Sequence, residues 1–336
     1  MTPAETSQEV DAQVEAFARD DARLRDAVAH VLVGQSDALA DLVTVFFAGG
    51  HALLEGVPGT GKTVLVRSIA TATGVDCQRV QFTPDLLPAD VLGCDTLVIA
   101  PGGEERIEFR PGPVFTEFLL ADEINRGTPR TQSALLEAMQ ERTVTSGSET
   151  RTLSPLFTVF ATRNPIEMEG TYPLPEAQLD RFQMLVRLEP ATVDDLVAIA
   201  ERTTDVGAND VECVLTPERI AEMRGLVRKV VAARPILHYA ARLIRATQPS
   251  DATSPSLVRE NVRYGGGARA LQALVLAGKV EALRRGRAHL AHEDLRRFLA
   301  PVLRHRLILT LDGEARGVDP DDIVRAVIDA VPPEPK

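Results

Sequence analysis

"HALLEGVPGTGKTVLVRSIA", residues 51–70, decides the fold. It opens as a short apolar run, HALLEG, that ends in glycine, and it closes on a helical pattern from about Lys62 to Ala72. Between them GVPGTGKT, Gly56 to Thr63, matches the P-loop spacing GxxxxGK[ST] at every fixed position. Strand before and helix after are the context that motif requires. Glycines let the backbone turn, so that amide N–H groups surround phosphate oxygens, and the helix N-terminus adds positive potential. Gly56, Val57, Pro58, Gly59, Thr60 and Gly61 therefore form the expected cradle. Lys62 is expected to reach the β- and γ-phosphates, and the Thr63 hydroxyl to ligate Mg²⁺.

A phosphate site of this kind needs a carboxylate at the end of a neighbouring strand. FLLADE, residues 118–123, supplies two. Alone, an Asp-Glu pair reads as a solvated strand end. Beside a P-loop, Asp122 becomes the Mg²⁺ ligand, directly or through water, and Glu123 the base that polarises the attacking water. Asn164 follows the next apolar run, in VFATRNP, and could orient that water. Asn-Pro on its own is a turn initiator, so this reading leans on its neighbours.

Further strands are expected at 77–82, 117–122, 157–162 and 183–188, with helical patterns between several of them and RTQSALLEAMQ the clearest. Strands alternating with helices imply an α/β fold, a mostly parallel sheet sandwiched by helices. Residues 5–30 read as a helix with apolar positions at Val10, Val14, Phe17, Leu24 and Val28. Two stretches interrupt the alternation as hairpin signals: residues 94–110 around Pro101-Gly102-Gly103, and residues 143–154. Beyond about Thr192 helical periodicity dominates. The expected division is an ATPase domain over 1–190, including the N-terminal helix, and a smaller helical lid over 191–336.

The 336 residues suggest two domains, and 44% hydrophobic content can build a sizeable core. A net charge of −11 opposes general nucleic-acid affinity, which rests on neutralising phosphates. Cys77, Cys94 and Cys213 are widely spaced and form no CxxC pair, so neither a disulfide framework nor a zinc site is expected. The acidic, polar start is no secretory signal, and no apolar run approaches the ~18 residues of a membrane span. A cytoplasmic protein is expected.

The chain resembles the MoxR-type AAA+ ATPases of the helix-2-insert clade, from about Val33 to His305. The resemblance rests on VGQ (33–35), GGHALLEGVPGTGKT (49–63), QFTPDLLPADVLG (81–93) and FRPGPVF (109–115). It continues through LLADEINR (119–126), QSALLEAMQER (132–142), NPIEMEGTYPLPEAQLDRF (164–182) and VLRHR (302–306). It implies ATP and Mg²⁺ as ligands, with Val33, Gly34 and Gln35 beside the nucleotide. Asp122 and Glu123 match Walker B and Asn164 matches sensor 1. Arg181 in LDRF looks like an arginine finger that reaches the neighbouring subunit's γ-phosphate. Arg269 in GGGARA looks like sensor 2, from the same subunit or another. Guanidinium suits both tasks because it is always charged and binds phosphate bidentately.

Two departures stand out. Arg163 replaces the usual glutamine before the sensor asparagine, and GGGARA replaces GASPRA, which implies a looser lid hinge. The family implies a homo-oligomeric ring, expected to be a hexamer, that remodels protein complexes with a von Willebrand factor A-domain adaptor or client. The two hairpins match the clade's inserts. No aromatic-hydrophobic-Gly pore loop is present, which weakens a peptide-threading mechanism. The alternative is a nucleic-acid motor or loader, with Arg284, Arg285, Arg287, Arg296, Arg297, Arg304 and Arg306 as its basic patch. A third reading, a nucleotide-gated switch without turnover, has no use for Glu123.

Overall fold

The computed structural model describes residues 3–99, 105–165, 170–204 and 211–333, apart from the side chains of residues 3–7 and 203. Its strands are β1 (Ala52–Glu55), β2 (Cys77–Gln81), β3 (Gly93–Ile99), β4 (Glu105–Pro111), β5 (Phe118–Asp122), β6 (Thr143–Ser146), β7 (Glu149–Thr152), β8 (Thr158–Arg163) and β9 (Met184–Arg187). Five of them form one sheet in the order β2-β5-β8-β1-β9, with every neighbouring pair parallel. The apolar runs of β1, β5, β8 and β9 are nearly unbroken because both faces are covered, whereas polar residues interrupt the edge strand β2. Leu53, Leu119, Ala121, Val159, Ala161 and Leu185 feed one core. Ala52, Leu54, Phe118, Leu120, Phe160, Met184 and Val186, one residue out of phase, feed the other.

Helices α1 (Pro3–Ala29), α2 (Ser36–Ala48), α3 (Lys62–Thr73), α4 (Pro88–Leu92), α5 (Pro129–Glu141) and α6 (Glu176–Leu179) complete this part. The N-terminal helix docks through Val14, Phe17, Leu24 and Val28, all buried, while Val10 stays exposed. A fully buried carboxylate fixes its register: Asp21 accepts from Arg284 Nε and NH2, both at 2.9 Å.

The two hairpin signals are hairpins. β3 pairs antiparallel with β4, and β6 with β7. The Pro101-Gly102-Gly103 turn itself lies outside the described residues, as do Ile166–Glu169 of the NPIEMEG stretch. The hairpins are joined: Ser146 Oγ donates to Asp95 at 2.9 Å, and the Arg151 guanidinium sits 4.0 Å from the centre of the Phe109 ring.

After β9 the chain turns helical: α7 (Val193–Thr204), α8 (Pro217–Lys229), α9 (Arg234–Arg245), α10 (Ser256–Asn261), α11 (Ala268–Arg284), α12 (His292–Leu303), α13 (Leu311–Ala315) and α14 (Pro320–Ala330). Among the described residues only β10 (Val262–Tyr264) and β11 (Ile308–Leu309) interrupt them, as a two-stranded ladder that periodicity did not signal. Two of the three GGGARA glycines are closely packed, whereas a Cβ on Gly267 would meet nothing within 4 Å. A Cβ on Gly265 would lie 2.3 Å from the Thr247 carbonyl oxygen, and one on Gly266 2.8 Å from Leu303. The Gly266 N–H donates to Thr247 Oγ1 at 2.9 Å. These two glycines permit close packing. Among the described residues no helix is long and apolar enough to cross a membrane.

Candidate functional site: a phosphate cradle facing two carboxylates

Strand β1 delivers the chain to the C-terminal edge of the sheet, and the loop Gly56–Gly61 turns it into α3. Gly59 and Gly61 hold φ of +85° and +84°, a region that L side chains resist. Gly56 is crowded, since a Cβ there would lie 2.9 Å from Thr60 Oγ1 and 3.1 Å from the Leu188 carbonyl oxygen. Lys62 Nζ donates to the Gly56 and Val57 carbonyls at 2.5 and 3.0 Å, so its charge lies over the loop.

The cleft above this loop, about 330 Å³, is lined by Pro58–Val64, Asp122, Glu123, Thr162, Arg163 and Asn164. Lys62, Thr63, Asp122, Glu123 and Asn164 are thus brought together from three adjacent strand ends. Asp122 is nearly buried and uses both oxygens: Oδ1 accepts from Thr162 Oγ1 at 2.6 Å, and Oδ2 from Arg79 Nε and NH2 at 3.1 and 2.7 Å. Glu123 has φ +53° and ψ +49°, a left-handed conformation that costs a non-glycine residue roughly 1–3 kcal/mol and clusters at functional sites. Its N–H donates to Thr162 Oγ1 at 2.9 Å, and its Oε2 accepts from Gln81 Nε2 at 2.9 Å and pairs with Arg126 Nε at 3.2 Å.

The other expected residues lie elsewhere. Val33, Gly34 and Gln35 do not line the cleft but flank it. Gln35 Nε2 donates to the Glu189 carbonyl at 2.8 Å, and Gly34, at φ +75°, faces Asp195. Arg181 and Arg269 line a second cavity of about 210 Å³ together with His51, Gln140, Arg228 and Arg306. Arg181 NH1 donates to the Leu136 carbonyl at 2.6 Å, and its Nε is buried without a partner. Arg269 reaches Gln140 at 3.4 Å and Asp180 at 3.6 Å. Neither arginine borders this chain's own phosphate cleft.

Arg163, the extra cation before Asn164, is compensated: its Nε donates to Glu55 at 2.6 Å. The seven C-terminal arginines form no free basic patch. Arg284 pairs with Asp21, Arg285 with Glu281, Arg287 with Asp294, Arg297 with Asp41, Arg304 with Asp321 and Arg306 with Asp180. Arg296 donates to Tyr239 Oη at 2.7 Å.

Sequence reasoning passed over Arg79, Gln81 and Thr162. The alternation in CQRVQF held the signal for the first two, because Arg79 and Gln81 share a face of an edge strand.

This geometry is that of a nucleoside triphosphatase, and comparison with known proteins specifies which. Residues 51–184 match the model of the ATPase family associated with various cellular activities (AAA), and residues 254–328 match the AAA lid domain. The chain is 36% identical to "Chaperone MoxR1" of Mycobacterium tuberculosis, over 90% of this chain and 80% of that one. The chain belongs to the MoxR-type AAA+ ATPases. It is also 39% identical to Bacillus subtilis "Uncharacterized protein YeaC", over 92% of this chain and 94% of the relative. The crystal structure of a putative ATPase from Cytophaga hutchinsonii superposes with a TM-score of 0.90 at 34% identity, covering 99% of each chain.

Proposed function

We propose that the chain hydrolyses ATP to ADP and phosphate in a homo-oligomeric ring, a hexamer, and uses the cycle to remodel protein complexes. The ATPase domain spans residues 1–190 and the lid 191–336. One observation carries the ring: the two arginines suited to a transferring phosphoryl group share a cavity away from this chain's own cradle. A cleft that this chain's own Arg181 and Arg269 do not border is completed by those of the next chain. On this reading both Arg181 and Arg269 act across the subunit boundary, and for Arg269 its distance from this chain's own cleft supports the neighbour over the same subunit.

The residues present fit a magnesium ion. Asp122 offers a nearly buried carboxylate in the cleft that Thr63 also lines, and Mg²⁺ is usually held by one or two carboxylates together with substrate phosphates. Thr63 and Asp122 would hold it, and bound there it neutralises charge on the β- and γ-phosphate oxygens. Amides of Gly56–Gly61 and Lys62 grip the phosphates. Glu123 takes the proton of the attacking water, and Asn164 orients that water towards the γ-phosphorus. Arg181 and Arg269 of the adjacent subunit stabilise the charge that develops there. The client is recognised with a von Willebrand factor A-domain adaptor, a reading supported by the MoxR kinship.

Glu123→Gln tests it, because the amide keeps shape and reach but is no base. ATP should bind, remain uncleaved and hold the ring in size-exclusion light scattering. Asp122→Asn should instead weaken Mg²⁺-dependent binding and stabilise the ring little. Hydrolysis by Glu123→Gln at the wild-type rate would remove Glu123 from the role of base.

A further inference from the structure

The carboxylate that suits the metal is already occupied by a cation. Arg79 lies on β2, the edge strand, and Gln81 sits directly opposite Asp122 in the β2–β5 register. Residues two apart on a strand share a face, so Arg79 and Gln81 both overhang the Walker B pair. Two N–H groups of Arg79, from Nε and NH2, converge on the single oxygen Oδ2 of Asp122. A carboxylate oxygen has two lone-pair sites, and this contact uses both. The other oxygen takes the Thr162 hydroxyl. Arg79 NH2 also donates to Gln81 Oε1 at 2.9 Å, and Gln81 passes the chain on to Glu123. Arg79 itself is half-exposed, 43% by side chain, against 12% for Asp122. It has room to swing outward; the carboxylate does not.

We propose that Arg79 is a positioning residue that competes with the divalent cation for Asp122 Oδ2, so that loading the metal displaces the guanidinium. The inference rests on the ATPase reading above. Two effects have the same sign: the metal must displace a charge-assisted contact, and it must bind near a side chain of like charge. Arg79 therefore weakens metal binding and favours release of the metal once the phosphates that share it have gone. Because Gln81 bridges to Glu123, outward movement of Arg79 also removes one contact from the Gln81 amide that holds the base.

The experiment is calorimetric titration of ADP into the full chain across a Mg²⁺ series, reading the Mg²⁺ midpoint for tight ADP binding. Arg79→Gln and Arg79→Met both remove the charge, and either one suffices if the other destabilises the edge strand. Each should lower the midpoint by about tenfold, the scale of one charged hydrogen bond at a half-exposed group. Arg79→Lys keeps the charge and should remain within roughly threefold of wild type, since a lysine still presents a point charge. ADP affinity in EDTA should not change. A midpoint that is unmoved or raised in the neutral variants overturns the competition, the second result because it would make Arg79 a support for the metal. If wild type binds no ADP at any Mg²⁺ concentration, the ATPase reading fails and this inference with it.

Discussion

Arg269→Ala separates a lid arginine that serves its own nucleotide from one that serves its neighbour's. Its contacts within the chain are weak: one 3.4 Å contact to Gln140 and a 3.6 Å ion pair to Asp180, with 46% of the side chain exposed. Exposed pairs of this kind contribute about 0–1 kcal/mol, so folding should change by less than about 1 kcal/mol. Affinity for ADP in the dilute single chain should stay within about twofold, because the arginine does not border the cleft. Turnover should fall by about 10³-fold or more, or ~4 kcal/mol of transition-state stabilisation, the low end of what a transferring-phosphate arginine supplies. Arg181→Ala should behave alike. The assay is phosphate release at saturating ATP, with calorimetry of ADP as the binding control. Mixing either variant with Lys62→Ala, which should bind no nucleotide, adds the decisive arm. In random one-to-one rings roughly a quarter of interfaces join an intact cradle to intact arginines, so about that share of activity should return. If Arg269→Ala alone loses tenfold in ADP affinity, or mixed rings shown to contain both subunits stay inactive, the arginines do not act across the boundary.

Two further outcomes follow from the charges. Single- and double-stranded DNA and RNA at low salt should leave turnover unchanged, since six of the seven C-terminal arginines are ion-paired and the seventh is hydrogen-bonded to Tyr239; stimulation of several-fold that salt abolishes would revive the motor reading. Asp41 on α2 should give a pH signature: burial pushes its carboxyl up to about 6 despite Arg297 at 3.0 Å. Its folded pKa lies above the unfolded value of 3.8, so its contribution is fully present below about pH 4 and is lost as pH rises through about 6. Melting temperature compared between wild type and Asp41→Asn should therefore diverge across that window, wild type losing ground as pH rises. Parallel curves would show that Asp41 titrates normally.

Most of the fold was legible because its signals are local. Each central strand is a short apolar run, and HALLEG, FLLAD and FTVFAT sit where β1, β5 and β8 lie. GVPGTGKT fixes a backbone path by glycine conformation alone. The β10–β11 ladder was invisible, since three residues pair with two across more than forty intervening positions and no periodicity can develop. The close packing of two hinge glycines was invisible for a related reason. Glycine's freedom is a property of the residue, whereas the closeness of Thr247 and Leu303 is a property of the packed lid.

The site divides along the same line. Lys62, Thr63, Asp122 and Glu123 belong to motifs whose spacing carries the chemistry, so sequence was enough to propose them. Asp180 and Arg181 show where spacing fails. As chain neighbours they invite an ion pair, yet Asp180 turns to Arg306 at 2.7 Å and to Arg269 on the lid. Arg306 is 7% exposed and donates to the Gln183 and Phe182 carbonyls as well, so it needs the carboxylate as counter-ion. An unpaired charge at that depth would cost several kcal/mol. A half-exposed Arg181 has no such need and is left beside a carbonyl oxygen, with one nitrogen unpartnered. Burial of Arg306, more than a hundred residues away, therefore leaves Arg181 without a counter-ion among the described residues, and an arginine in that condition is suited to a phosphate on another subunit.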